Sequence, residues 1–134
     1  MIVVDASVMV MALTSPTAQG DAARLAMLGD DDWAAPGHMP LEVLRTLHKA
    51  VLRNQLAAHD ADAAAGALTA MQIRYVDTDD IMLRSVWAMR HNISVYDAAY
   101  LTVAVLNDAH LITFDARLAK AAAQTEPDVN VVLL

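Results

Sequence analysis

Ile2-Val3-Val4-Asp5-Ala6-Ser7-Val8 decides how this chain is read. Three branched apolar residues run into an acid, a small residue and a hydroxyl. A short apolar run bounded by a polar residue reads as a buried strand. Asp5 then falls at its C-terminal end, where the chain turns into a helix. In open α/β sheets that edge is where ligands bind.

Working outward, Ser7 to about Leu13 reads as a short helix, broken by Thr14-Ser15-Pro16-Thr17. Ala18 to Leu28 is a second helix with Gly29 as its stop, and Asp30-Asp31-Asp32 is a turn. Trp33-Ala34-Ala35 is a weak strand closed by Pro36-Gly37. Pro40 suits a first helical turn, and Leu41, Leu44, Leu47, Val51 and Leu52 repeat at helical spacing to about Asn54. Further helices are expected over Asp60–Met71, Ile81–Arg90, Ser94–Leu106 and Leu118–Ala123. Further strands are expected over Ile73–Val76, Leu111–Phe114 and Val129–Leu134. Strands that alternate with helices imply a mostly parallel sheet covered on both faces. The expected fold is α/β, a three-layer α/β/α sandwich of about five strands, in one domain over residues 1–134.

Composition narrows the function. Apolar residues make up 57% of the 134, much of it alanine, yet no run approaches the roughly 18 residues of a membrane span. Nothing near the N-terminus has the pattern of a signal peptide. With no cysteine, disulfides and thiolate metal sites are excluded, which is compatible with the cytoplasm. A net charge of −7 argues against broad, sequence-blind nucleic-acid binding, which needs a basic surface. It leaves room for a local basic track and for a basic partner.

Four acids invite a common explanation. Taken singly, each has an ordinary one: Asp5 and Asp115 as helix caps, Glu42 as a first-turn acid, and Asp97 in the capping box Ser94-Val95-Tyr96-Asp97. Taken together, all four fall where a strand or loop gives way to a helix, and in a parallel sheet those junctions share one edge. Clustered carboxylates repel unless a cation relieves them. Mg²⁺, with Mn²⁺ as the alternative, takes oxygen ligands and keeps several waters. The five histidines (His38, His48, His59, His91 and His110) show no ligand spacing and read as surface or capping residues. Acids around such a cation suit phosphodiester hydrolysis.

At this point the residues resemble a known family. Val3-Val4-Asp5-Ala6-Ser7, Pro40-Leu41-Glu42-Val43, Tyr96-Asp97-Ala98-Ala99-Tyr100 and Thr113-Phe114-Asp115-Ala116-Arg117-Leu118 are similar to the motifs of PIN-domain ribonucleases, above all the VapC-type toxins of toxin–antitoxin pairs. The resemblance spans nearly the whole chain, and its Tyr-Asp-Ala-Ala-Tyr stretch is the most specific part. It implies a Mg²⁺- or Mn²⁺-dependent endoribonuclease cutting structured RNA, with transfer RNA the expected target. Asp5 and Asp97 would be the principal metal ligands, Glu42 and Asp115 would complete the set, and Ser7 and Thr113 would support it by hydrogen bonding. Some members carry another acid just past the last one; here Arg117 and Leu118 stand there, which puts a second metal ion in question. The resemblance also implies a homodimer and a small VapB-type antitoxin, and no nucleotide cofactor or membrane.

Arg45, Lys49 and Arg53 lie three, seven and eleven residues past Glu42. At about 100° per residue they stay within roughly 60° of it, a basic stripe that suits RNA phosphates or simply a solvated face. Arg117 and Lys120 extend it. Trp33, Trp87 and Tyr100 read as core or interface residues rather than base platforms. Met9, Met11, Leu13, Leu25, Met27 and Leu28 exceed what one helix face needs, so some are expected to line a groove for a partner helix. Three alternatives compete. A dehalogenase-type phosphatase needs an Asp at position 7, which is Ser; a receiver-like domain needs an adjacent acid pair, and Asp5 stands alone. A catalytically silent RNA- or protein-binding module has all the same residues.

Overall fold

A computed structural model describes residues 1–134. The elements run β1 (Ile2–Val4), α1 (Ala6–Thr14), α2 (Ala18–Leu28), β2 (Trp33–Pro36), α3 (Met39–Leu52), α4 (Ala58–Ala70), β3 (Arg74–Val76), α5 (Asp80–Ala88), α6 (Val95–Asn107), β4 (His110–Thr113), α7 (Ala116–Thr125) and β5 (Val131–Leu133). Five parallel strands lie in the order β3-β2-β1-β4-β5, with seven helices around them. The α/β architecture read from the sequence is the observed one.

β1 is central. Val3 pairs with Ala34 of β2 on one side and with Leu111 of β4 on the other, and both Val3 and Val4 are fully buried. The chain winds outward through β2 and β3, then returns across β1 to build β4 and β5. The reversal falls between β1 and β4. Outside the carboxyl ends of two such strands the following helices diverge and leave a crevice. α6 is the core helix: it packs on β2, β1 and β4, and seven consecutive residues, Ala98 to Ala104, are buried. α1 packs against α2, α3, α4 and β4.

Several boundaries differ from expectation. β4 ends at Thr113, so Phe114 lies in the turn before α7 rather than in the strand. α7 runs from Ala116 to Thr125, longer at both ends than expected, because Asp115 caps its first turn. α4 starts at Ala58, α5 stops at Ala88, β3 starts at Arg74 and β5 covers only Val131–Leu133.

The larger correction concerns α3. Its buried stripe is Met39, Val43 and Leu47, each four residues apart. Leu41, Leu44 and Leu52, whose spacing marked the helix, are exposed and share the outer surface with Arg45, His48, Lys49 and Arg53. Repeats at i, i+3 and i+4 can be drawn through either set of residues, and the short β2–α3 turn selects the set that starts at Met39. Of the surplus residues of the first two helices, Met9 and Met27 are buried while Leu25 and Leu28 are exposed. These two leave part of the surface of α2 apolar, as the groove reading expected.

One glycine is required by close approach. Gly20 sits buried in the first turns of α2, and a Cβ there would overlap the carbonyl of Ser15, which ends α1. Gly20→Ala must push α1 and α2 apart; we expect a loss of about 1–3 kcal/mol of unfolding free energy in urea titration, the range of overpacking in a tight interior.

Candidate active site

Four helices begin at the crevice, and each brings one acid. Asp5 is the N-cap of α1, its Oδ1 accepting the Val8 N–H at 2.9 Å. Asp115 is the N-cap of α7, accepting from the N–H groups of Arg117 and Leu118. Glu42 lies in the first turn of α3 and Asp97 in the first turn of α6. The positive ends of four helix dipoles therefore face one region, which stabilises negative charge there. The ordinary capping explanations are true of Asp5 and Asp115, and the Ser94 hydroxyl accepts the Asp97 N–H as half of a capping box. These local roles and the clustering are compatible, because capping places the side chain at the helix mouth.

Two hydroxyls tie the two central strands together at their carboxyl ends. Thr113 Oγ1 donates to Asp5 Oδ2 at 2.5 Å and accepts the Asp115 N–H at 2.9 Å. Ser7 Oγ donates to Asp5 Oδ1 at 2.6 Å and accepts the Phe114 N–H at 3.1 Å. Asp5 is thus held by three donors and is 5% exposed. Both hydroxyl positions expected to support the acids touch them.

Burial pushes the Asp5 carboxyl above its ordinary range; its three donors work against that shift, and the charge of Asp97 adds to it. Asp97 is likewise pushed up, first by burial and further by Asp115 and Glu42. Asp97 thus bears on Asp5, and Asp115 and Glu42 bear on Asp97. Glu42 goes the other way: burial would raise it, but His38 and Tyr100 outweigh burial and hold it ionised. The Tyr100 hydroxyl donates to Glu42 Oε2 at 2.5 Å. That bond, with burial, raises the tyrosine well above its usual range. His38 Nε2 lies 3.4 Å from the same oxygen but makes no hydrogen bond. The contact is electrostatic, longer than a well-formed N–H···O bond.

No three His, Asp or Glu side chains converge closely enough to form a finished cation cage. The Ser7 and Thr113 hydroxyls engage both oxygens of Asp5, and the Tyr100 hydroxyl engages Glu42. The donor chemistry fits a hard divalent cation: all four candidates are carboxylates, and Asp5 and Asp97 are raised in pKa by burial first and then by neighbouring carboxylates. An open arrangement suits an ion that retains waters and borrows phosphate oxygens.

Arg45, Lys49 and Arg53 are all exposed along α3 and its C-cap, leading away from Glu42. Arg117 is exposed as well, with Nε 3.7 Å from Asp115 Oδ1, a surface pair of little energetic weight. Lys120 is exposed on α7. Tyr100 is buried, as expected of a core residue, and in addition bonds Glu42. Trp33 is half-buried and Trp87 is 64% exposed beneath Arg90. The role of His38 was missed: it is half-buried, four residues before Glu42 on the same helix face, and that spacing was the available signal.

Known proteins agree with this geometry. The PIN domain family model matches residues 2–124. The fold and the acid-lined crevice thus define a class, and the chain belongs to the PIN-domain family. Among its relatives, Ribonuclease VapC1 of Mycobacterium tuberculosis is 34% identical over 119 residues, covering 89% of each chain. VapC20 of Mycobacterium tuberculosis, described as a toxin that cleaves the sarcin-ricin loop, superposes with a TM-score of 0.70 at 19% identity, covering 90% of this chain and 95% of its own. VapBC2 from Rickettsia felis, solved with a DNA fragment from the pair's promoter, superposes with a TM-score of 0.66 at 13% identity, covering 99% and 98%.

The pKa directions carry a consequence for stability. A carboxyl raised on folding binds its proton more tightly in the native chain, so stability falls as pH rises from the ordinary carboxylate value through the raised one. Above that window Asp97 opposes the fold. We expect Asp97→Asn to melt a few degrees above the parent at pH 7, about 1 kcal/mol or less for a chain of this size, with the gap closing towards pH 4. Thermal unfolding followed by circular dichroism at both pH values measures this.

Proposed function

We propose that this chain is a divalent-metal-dependent endoribonuclease of the VapC toxin type, with Asp5, Glu42, Asp97 and Asp115 as its catalytic acids. The observation that carries the reading is the Thr113 and Ser7 bridge, which ties Asp5, just past β1, to the turn of Asp115, just past β4; the charge of Asp97 bears on Asp5, and those of Asp115 and Glu42 on Asp97. The substrate class is a structured RNA presenting an unpaired loop. Transfer RNA is the target that the sequence motifs suggest; the sarcin-ricin loop named for VapC20 is a loop of the same general kind. The name of the VapBC2 pair supports a cognate VapB-type antitoxin as partner. A homodimer acting in the cytoplasm belongs to the same proposal and rests on the sequence motifs alone.

Asp5 and Asp97 would hold Mg²⁺ or Mn²⁺, with Glu42 and Asp115 completing the set. When bound, that ion polarises the phosphoryl oxygen and supports the developing charge on the leaving oxygen. The chain's own contribution is positional. Tyr100 occupies Glu42 Oε2 and leaves Oε1 free to orient a water and take its proton. Ser7 and Thr113 fix both oxygens of Asp5. Arg45, Lys49 and Arg53 give the phosphates a track along α3, and Arg117 stands at the crevice mouth. Among these exposed residues we expect Lys49→Ala to weaken RNA binding for all sequences alike and to lower the salt slope of log K by about one.

The open spacing of the acids also suits a silent PIN-like module that binds RNA or protein without cutting. One experiment separates the two readings. The purified chain is incubated with total RNA plus Mn²⁺, or with EDTA, and cut sites are mapped. Discrete cuts that vanish with EDTA and fall roughly 100-fold or more in Asp97→Asn support the nuclease. RNA bound but uncut by the parent, under every metal condition, establishes the silent module instead.

A further inference from the structure

We propose that Tyr96, braced on His38, is a stacking platform for an unpaired base of the RNA strand next to the phosphate the acids face; the inference rests on the ribonuclease reading. Tyr96 is the second residue of α6 and the immediate neighbour of Asp97. It is 61% exposed, while Tyr100, one turn along the same helix, is buried at 2%. Tyr96 therefore adds little to the core, and it stands at the lip of the acid crevice.

The ring does not stand alone. Its centroid lies 4.7 Å from that of His38, tilted by 42°. His38 in turn meets the edge of Tyr100 at 5.3 Å and 75°. Three rings in series fix the orientation of the outermost one before any ligand arrives, which lowers the entropy lost on binding. The inner end of the series is Tyr100, which holds Glu42. A base seated on Tyr96 is therefore aligned with the acid that orients the attacking water.

The chemistry favours a base over other ligands. An acid-rich crevice repels phosphate, so the uncharged faces of the nucleotide are the parts it can grip without a cation. Beside Tyr96 is a hollow of about 140 Å³ walled mostly by apolar side chains, Met82, Leu83, Val86 and Val95 among them, with Thr78 and His38 as its polar members. Such a site offers a π-face and little to read a base edge, so it accepts any base that can leave its helix. It selects unpaired loops by their flexibility rather than by sequence.

The test is steady-state cleavage of a loop-containing RNA by the parent, Tyr96→Ala, Tyr96→Leu and Tyr96→Phe, with Asp97→Asn as control and melting curves to verify the fold. Each RNA is also made with single abasic sugars around the cut. The expected result is a KM raised roughly 5- to 150-fold in Tyr96→Ala and Tyr96→Leu, the range for loss of one base–aromatic stack, with kcat changed less. Tyr96→Phe recovers most of that loss. One abasic position raises KM for the parent and has no further effect in Tyr96→Ala, as a shared contact requires. If Tyr96→Ala cuts intact and abasic RNA as the parent does, or alters only self-association, the platform is overturned while the nuclease stands. If the parent cuts nothing in Mn²⁺, both fall together.

Discussion

Four carboxylates carried at or near the starts of four helices, close enough for some to feel another's charge but not closed into a cage, are the constraint on which this molecule is built. Repulsion alone would scatter them. What opposes it is partial charge: α1, α3, α6 and α7 all begin at the crevice, and their unpaired N–H groups face the acids. The remaining imbalance is distributed unevenly. Burial first, and neighbouring charge after it, raises Asp5 and Asp97, while His38 and Tyr100 outweigh burial at Glu42 and lower it.

The strand order makes that arrangement possible. Because β1 is flanked by β2 and β4, the crevice opens at the reversal of winding, and the residues just past β1 and β4 face each other across it. Ser7 and Thr113 exploit this proximity. Each hydroxyl donates to Asp5 and accepts a backbone N–H from the turn before α7, so one pair of small side chains satisfies the buried acid and closes the sheet edge. A buried polar cluster with every donor and acceptor engaged is rigid as well as stable.

Much of this was legible in the chain. Apolar runs that end in Asp5 and Asp115, and the Tyr96-Asp97-Ala98-Ala99-Tyr100 motif, placed three acids at helix starts without a structure. The outward face of α3 was not legible, because Leu41, Leu44 and Leu52 mimic a core stripe while the true one runs through Met39, Val43 and Leu47. The extent of α6 was legible, since Ser94 marked its cap and its end was expected near Leu106; its burial over seven successive residues was not, because such a helix has no polar face to give it a period. His38 was read as a surface or capping histidine because its partners are aromatic rings and a carboxylate brought in by the fold, not neighbours in a ligand motif. Local pattern determines where an acid sits on its helix; which side chains then surround it is decided by packing between helices that are far apart along the chain.

The bond from Thr113 to Asp5 joins residues 108 positions apart. A ribosome that has made the first hundred residues has therefore produced β1, β2, β3 and the first turns of α6, but not the Thr113 that bonds the first acid. Contacts of such long range form late, since the loop they close is nearly the entire polypeptide. The crevice is thus incomplete until β4 emerges and docks. Assembly order by itself sets an interval of synthesis in which most of the sheet exists without its acid-lined edge.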